Sequence, residues 1–158
     1  MEFHDGTIDG VLIKPITKHH DERGWLAELF RQDEIDKSIY PVMAYLSVTY
    51  PGVTRGPHAH ESQTDYFVFL GPSDFLVVMW DNRKDSPTFG CKMSIVAGES
   101  NPAAVAIPPG IAHGYKNIGT TPGVVINLPN RLYGGKGKRE KVDEIRYEDD
   151  PDTPFKII

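Results

Sequence analysis

Short apolar runs separated by turn residues dominate this chain. "GVLIKPI" (10–16), "AYLSVTY" (44–50), "DYFVFLG" (65–71), "DFLVVMW" (74–80), "CKMSIVA" (91–97), "AAVAIPP" (103–109) and "GVVINLP" (123–129) are rich in Val, Ile, Phe and Tyr. Such side chains suit a pleated, half-buried surface, so each run predicts a strand. Thirteen prolines and fifteen glycines punctuate the runs. Only Asp33 to Ser38, within "RQDEIDKSI", predicts a short helix. Many short strands with regular turn signals predict an all-β sandwich or barrel with few short helices. The glycine-rich, charged stretch "GGKGKREKVDE" (134–144) predicts a mobile loop. The aromatic residues Trp25, Trp80, Phe67, Phe69 and Phe89 are expected in the core, because aromatics dominate small barrel interiors.

The 158 residues predict one domain spanning 1–158, large enough to fold on its own core. The formal charge of -5 argues against general nucleic-acid binding, which needs a basic face. Cys91 is the single cysteine, so no disulfide framework and no CxxC zinc motif is available. The N-terminal residues lack a signal pattern, and no apolar run approaches the ~20 residues of a membrane span. A cytoplasmic location without membrane contact is the expectation.

Candidate chemistry concentrates in the histidines. "RGPHAHESQTDYFVFLG" (55–71) places His58 and His60 one residue apart, and alternation along a strand puts both on one face. Further on, "PPGIAHGYKN" carries His113. An H-x-H pair joined by a histidine from a facing strand can converge inside a barrel. Neutral imidazoles in that geometry suit one first-row divalent metal, with Asp65 as a carboxylate ligand beside His58, His60 and His113. The same residues can instead serve as a catalytic base with its helper, or as polar groups at a barrel mouth.

Gly52, separated from His58 by five residues, and the spacing of Pro108, Gly110, His113 and Asn117 resemble the two motifs of the cupin superfamily, small jelly-roll barrels. A longer series then narrows the resemblance. "DERGWLAELFR", "RGPH", "DNRKDSPTFG", "IPPGIAHGYKN" and "DEIRYEDDPDTPF" occur in that order. This series is similar to the dTDP-4-dehydrorhamnose 3,5-epimerase family and spans most of the chain. The resemblance implies a cupin-type double-stranded jelly-roll barrel, commonly a homodimer, which needs no metal or other cofactor. It implies a deoxythymidine-diphospho 4-keto sugar as ligand and proton transfer beside the ketone, in deoxysugar or surface polysaccharide synthesis. By resemblance His58 matches the base, Asp150 its carboxylate partner (with Asp149 adjacent), and His113 a histidine kept near the site. Arg23, Glu28 and Arg55 match substrate-binding positions, and Tyr133 and Asn127 fall where the family places two site tyrosines.

The sequence also departs from that pattern. Asp65 stands where the family carries a lysine, and an aspartate cannot neutralise a developing enolate. Asn127 stands where the family carries a proton-donating tyrosine, and an amide is no useful acid near neutral pH. His60 replaces a glutamine-like residue. The string "HAH" resembles the sugar-nucleotide 3,4-ketoisomerases, related cupins that move a carbonyl through an enediol. His58 and His60 would divide that work, one taking the proton from carbon and the other moving protons between oxygens. The expected activity is therefore an epimerase or ketoisomerase, with departures from standard 3,5-epimerisation. The alternatives are a metal-dependent cupin and a non-catalytic sugar-nucleotide binder.

Overall fold

The computed structural model describes residues 2–158. Two sheets account for most of the chain. One has six strands, in the order β1 (His4–Asp5), β9 (Cys91–Gly98), β8 (Asp74–Asp81), β11 (Ile111–Asn117), β6 (Thr54–Ala59) and β13 (Ile145–Arg146). The other has five, in the order β2 (Leu12–Pro15), β10 (Ala103–Ile107), β7 (Asp65–Gly71), β12 (Gly123–Asn127) and β5 (Tyr45–Thr49). A hairpin of β3 (His19–Asp21) and β4 (Gly24–Leu26) stands apart from both. Neighbouring strands are antiparallel except β1 and β9. Each sheet keeps two open edges, and the architecture is that of a cupin-type jelly roll.

The period of two along a strand explains the packing. In β7, Phe67 and Phe69 point between the sheets, where they meet Phe75, Val77 and Met79 of β8 and Tyr115 of β11. The alternate residues Tyr66 and Val68 point to the outer face, where Ala27, Leu29, Ile35 and Ile39 cover them. The strand is thus buried on both faces, which explains its unbroken apolar run. The outer face of the six-stranded sheet is covered in the same way. Val78, Trp80 and Ala112 lie under Phe155, which also packs on Tyr147 with ring centroids 4.6 Å apart.

All seven predicted strands form. Trp80, Phe67 and Phe69 are core residues, and Cys91 is buried. Trp25 and Phe89 are exposed instead. Trp25 sits on the free hairpin, where there is no second layer to bury it. The predicted helix at 33–38 reduces to a 3-10 turn, Lys37–Ile39, capped by the Asp36 carboxylate on the Ser38 N–H. Asp36 and Ser38 favour caps over helix interiors, so the stretch ends after one turn. No helix among the described residues is long and apolar enough to cross a membrane.

Candidate active site

The site is assembled from both sheets. His58 lies near the end of β6 and His60 just past it, while His113 lies on β11. β11 is the hydrogen-bonded neighbour of β6 in the same sheet, not a strand of the facing one, and His113 is paired directly with His58. Their ring centroids are 4.5 Å apart. The register shifts between His113 and Tyr115, so β6 carries an extra residue there. Such a bulge re-aims the side chains beside it. It is built on Gly56, at φ +81°, where an added Cβ would come within 2.8 Å of the His113 carbonyl. Only glycine permits that approach.

The facing sheet supplies the carboxylate. Asp65 opens β7 and is 1% exposed. Its Oδ2 lies 3.0 Å from His60 Nε2, 3.1 Å from His113 Nε2 and 3.8 Å from His58 Nε2. Its Oδ1 accepts from Gln63 Nε2 at 2.7 Å and from Asn127 Nδ2 at 2.9 Å. Burial pushes the Asp65 carboxyl up, but hydrogen bonds from His113 and His60 and the approach of the His58 imidazole outweigh it and hold it well below the usual carboxylate range. Burial alone would push His60 down, yet its hydrogen bond to Asp65 and the Asp65 charge raise it above the ordinary imidazole value. His113, deeper still, is pushed down by burial and by the nearby His58. Its Nδ1 lies 2.9 Å from the Ile111 carbonyl, which fixes the orientation of the ring.

The segment 134–144, expected as a mobile loop, forms one wall of the site. Asp143 anchors it: its carboxylate accepts the N–H groups of Glu61, Ser62 and Gln63 at 2.7–2.9 Å. Its carbonyl accepts from His60 Nδ1. The glycines and charges in the sequence register none of this, because the anchor is one aspartate bonding a turn far away in the chain. A cavity of about 720 Å³ results, lined among others by His58, His60, Tyr45, Tyr133, Arg131, Lys138 and Lys141. That volume lies within the usual range for small-ligand sites, ~300–1,000 Å³.

Of the residues singled out from sequence, His58, His60, His113 and Asp65 converge, and Tyr133 lines the cavity. The others do not come to it as expected. Asp150 is exposed and accepts from the Asp152 N–H, so the carboxylate beside His58 is Asp65 and not Asp150. The Asp-Pro sequence at 150–151 forms a local turn, whose own backbone engages the side chain. Asn127 is fully buried behind the cavity wall. Arg55 turns its guanidinium to Thr49 Oγ1 and the Val48 carbonyl. Arg23 pairs with Asp21 on the exposed hairpin, and Glu28 pairs with Arg31. Tyr45, Asp143, Arg131, Lys138 and Lys141 were not anticipated. The one available signal for the last three was the cluster of basic residues in and just before a glycine-rich stretch.

A cupin-type jelly roll with imidazoles gathered around a buried carboxylate, opening to a cavity, defines the class. A family model for dTDP-4-dehydrorhamnose 3,5-epimerase matches residues 5–149. The probable low-salt glycan biosynthesis epimerase Agl13 of Haloferax volcanii is 42% identical over 127 residues, covering 80% of this chain and 81% of that protein. The spore coat polysaccharide biosynthesis protein SpsL of Bacillus subtilis is 40% identical over 134 residues, covering 85% and 87%. Among solved structures, a dTDP sugar isomerase from Desulfovibrio desulfuricans superposes with a TM-score of 0.82 at 24% identity, covering 94% of this chain and 91% of that one. The chain belongs to the dTDP-4-dehydrorhamnose 3,5-epimerase family.

Proposed function

We propose that the protein is an isomerase that moves protons beside the ketone of a nucleotide-diphosphate 4-keto-6-deoxy sugar, as an epimerase or a ketoisomerase, with His58 as the base. The observation that carries this reading is the buried Asp65 carboxylate facing three imidazoles at a cavity of sugar-nucleotide size. A proton beside a ketone is removable because the resulting carbanion is an enolate, so the site must offer a base. His58 lines the cavity and is the most exposed of the three imidazoles, at 13% against 8% and 2%. Once protonated, its imidazolium is stabilised by Asp65 3.8 Å away. His60, raised by the same carboxylate and also on the cavity wall, is bonded to it through Nε2, and a proton passes from there to substrate oxygens when that bond opens. Arg131, Lys138 and Lys141 offer cationic partners for a diphosphate. The relatives' roles in glycan and spore coat polysaccharide synthesis support a place in deoxysugar or surface polysaccharide synthesis.

The test is a proton NMR time course in deuterated water with dTDP-4-keto-6-deoxyglucose. Loss of the C3 or C5 proton signal, or a new keto-sugar spectrum, is expected. A spectrum that changes no faster than the protein-free control would reject the reading.

A second reading is favoured by one observation. His58, His60, Asp65 and His113 each offer a ligand atom, and these atoms all lie within 4.8 Å of one another. The Nδ1 atoms of His60 and His113 are committed to backbone carbonyls, which turns their Nε2 atoms inward, as metal-ligating histidines require. The donor set fits one first-row divalent metal, which would supply Lewis-acid polarisation of a carbonyl oxygen. In the preferred reading, protons rather than a metal supply the positive charge between the imidazoles and Asp65.

We further propose a homodimer. The edge strand β5 exposes Leu46 and Val48, and the β3–β4 hairpin exposes Trp25 and Leu26. Edges of this kind are normally covered. Arg23 and Glu28, outside the cavity of their own chain, would then be available to the other one. Sedimentation should give twice the chain mass of 17.6 kDa. A stable 17.6 kDa species at working concentration would reject the dimer.

A further inference from the structure

Proton removal beside a ketone needs more than a base, because the developing enolate oxygen must be met by a donor. Asp65 cannot fill that role. It is anionic, and its lone pairs are already engaged by Gln63, Asn127 and the histidines. The donor has to come from elsewhere on the wall.

We infer that Tyr45 is a catalytic residue: its phenolic O–H, aimed into the cavity by Asn127, hydrogen-bonds the ketone oxygen and stabilises the enolate that forms when His58 takes the proton. The inference rests on the proton-transfer reading above. It stands on the hydrogen-bond inventory of one buried amide. Asn127 Oδ1 accepts the backbone N–H of Tyr66 at 3.1 Å, which fixes which way the amide faces. Its Nδ2 then has two N–H groups to give. One goes to Asp65 Oδ1 at 2.9 Å and the other to Tyr45 Oη at 2.9 Å. Tyr45 Oη is therefore an acceptor in this contact, and its own hydrogen must point away from Asn127. No other described residue accepts it, and the ring lines the cavity with His58. A phenol has one donor, and here the cavity is the place left for it.

Topology fixes this pairing. Tyr45 and Asn127 are cross-strand partners at the ends of β5 and β12. His58 enters the cavity from the other sheet. Base and donor thus stand on separate walls, with the Asn127 amide linking Tyr45 to the carboxylate beneath the histidines. Tyr45 as a whole is 44% exposed, but desolvation at its phenol end, beside Asn127, pushes the phenol up to about 12, so it stays protonated at neutral pH and serves as a donor. In the step itself, the C–H electron pair moves into the enolate and the proton goes to His58. Tyr45 keeps its proton throughout, as a positioned donor to the oxygen. Asn127 acts through Tyr45 and is a positioning residue.

The experiment measures exchange beside the ketone of dTDP-4-keto-6-deoxyglucose for the wild type, Tyr45→Phe and His58→Ala, with dTDP binding followed by calorimetry. Tyr45→Phe keeps the ring and should lose about 10²–10³-fold in kcat, the usual cost of one oxyanion donor, with dTDP binding unchanged. Fluorotyrosine at position 45 should keep the donor and shift the alkaline limb of the exchange profile to lower pH, which a packing role would not do. Exchange by Tyr45→Phe at the wild-type rate, with His58→Ala inactive, would overturn the assignment of Tyr45 alone. Absence of exchange in the wild type would overturn it together with the proton-transfer reading.

Discussion

His58→Ala should lower proton exchange beside the ketone by about 10²–10⁴-fold, the span that a positioned general base contributes. The substitution removes the most exposed of the three imidazoles, and neither of the other two is placed to replace it. His60 has both ring nitrogens engaged, Nδ1 by the Asp143 carbonyl and Nε2 by Asp65, so neither is free to take a proton from carbon. His113 is buried beneath the other two and bonded to the Ile111 carbonyl. The fold should survive, because His58 has no close hydrogen bond whose loss would strand a partner; its approach to Asp65 is 3.8 Å. Exchange measured by NMR, beside a thermal melt, separates the two effects. Unchanged exchange in a folded His58→Ala protein would rule out His58 as the base.

Asp65→Asn should act on stability as well as activity, and for a different reason. Asp65 is the hub of the site, with hydrogen bonds to Gln63, Asn127, His60 and His113. Removing the charge of a buried, paired group typically costs about 3–5 kcal/mol. The sign with pH follows from the two shifted groups. The Asp65 carboxyl is depressed in the folded state, so its contribution is present above the unfolded value of about 3.9 and is lost as pH falls through the lower folded value. The His60 imidazole is raised, so its contribution is present below about 6.5 and is lost as pH rises through the higher folded value. The penalty of Asp65→Asn should therefore be largest between about pH 4 and 6.5 and shrink towards either side. Urea unfolding across that range measures it, and NMR should show the His60 titration moving to lower pH in the variant. A penalty independent of pH, with His60 unmoved, would mean that Asp65 does not hold the imidazolium.

The apolar pattern read well where strands are buried on one or both faces, as β7 and β8 are. It missed β11, whose His113, Lys116 and Asn117 break the apolar run, and it missed the two-residue strands β1 and β13, which are too short to carry a period. β6 was noticed through its histidines rather than its pattern, because Gly56 and Pro57 interrupt it. The histidine cluster was legible, since His58, His60, Asp65 and His113 stand at a recognisable spacing. What the sequence could not give was the contact between two of its three departures from the family pattern. Asp65 and Asn127 lie 62 positions apart and bond at 2.9 Å, so the two substitutions form one hydrogen-bonded unit. Tyr45 was read as an ordinary strand residue. Its importance comes from lying beside Asn127 across β5 and β12, a matter of strand order that local patterning does not encode. Asp150 failed for the opposite reason: its motif was matched, but its turn keeps the side chain at the surface.

The central claim is that the histidines around Asp65 transfer protons directly. The measurement that tests it is the exchange rate of the wild-type chain, with dTDP-4-keto-6-deoxyglucose in deuterated water, before and after exhaustive dialysis against a strong chelator. The account predicts deuterium incorporation beside the ketone at the same rate in both samples. Incorporation that disappears on chelation and returns with one first-row metal would contradict it and transfer the same four residues to a metal centre.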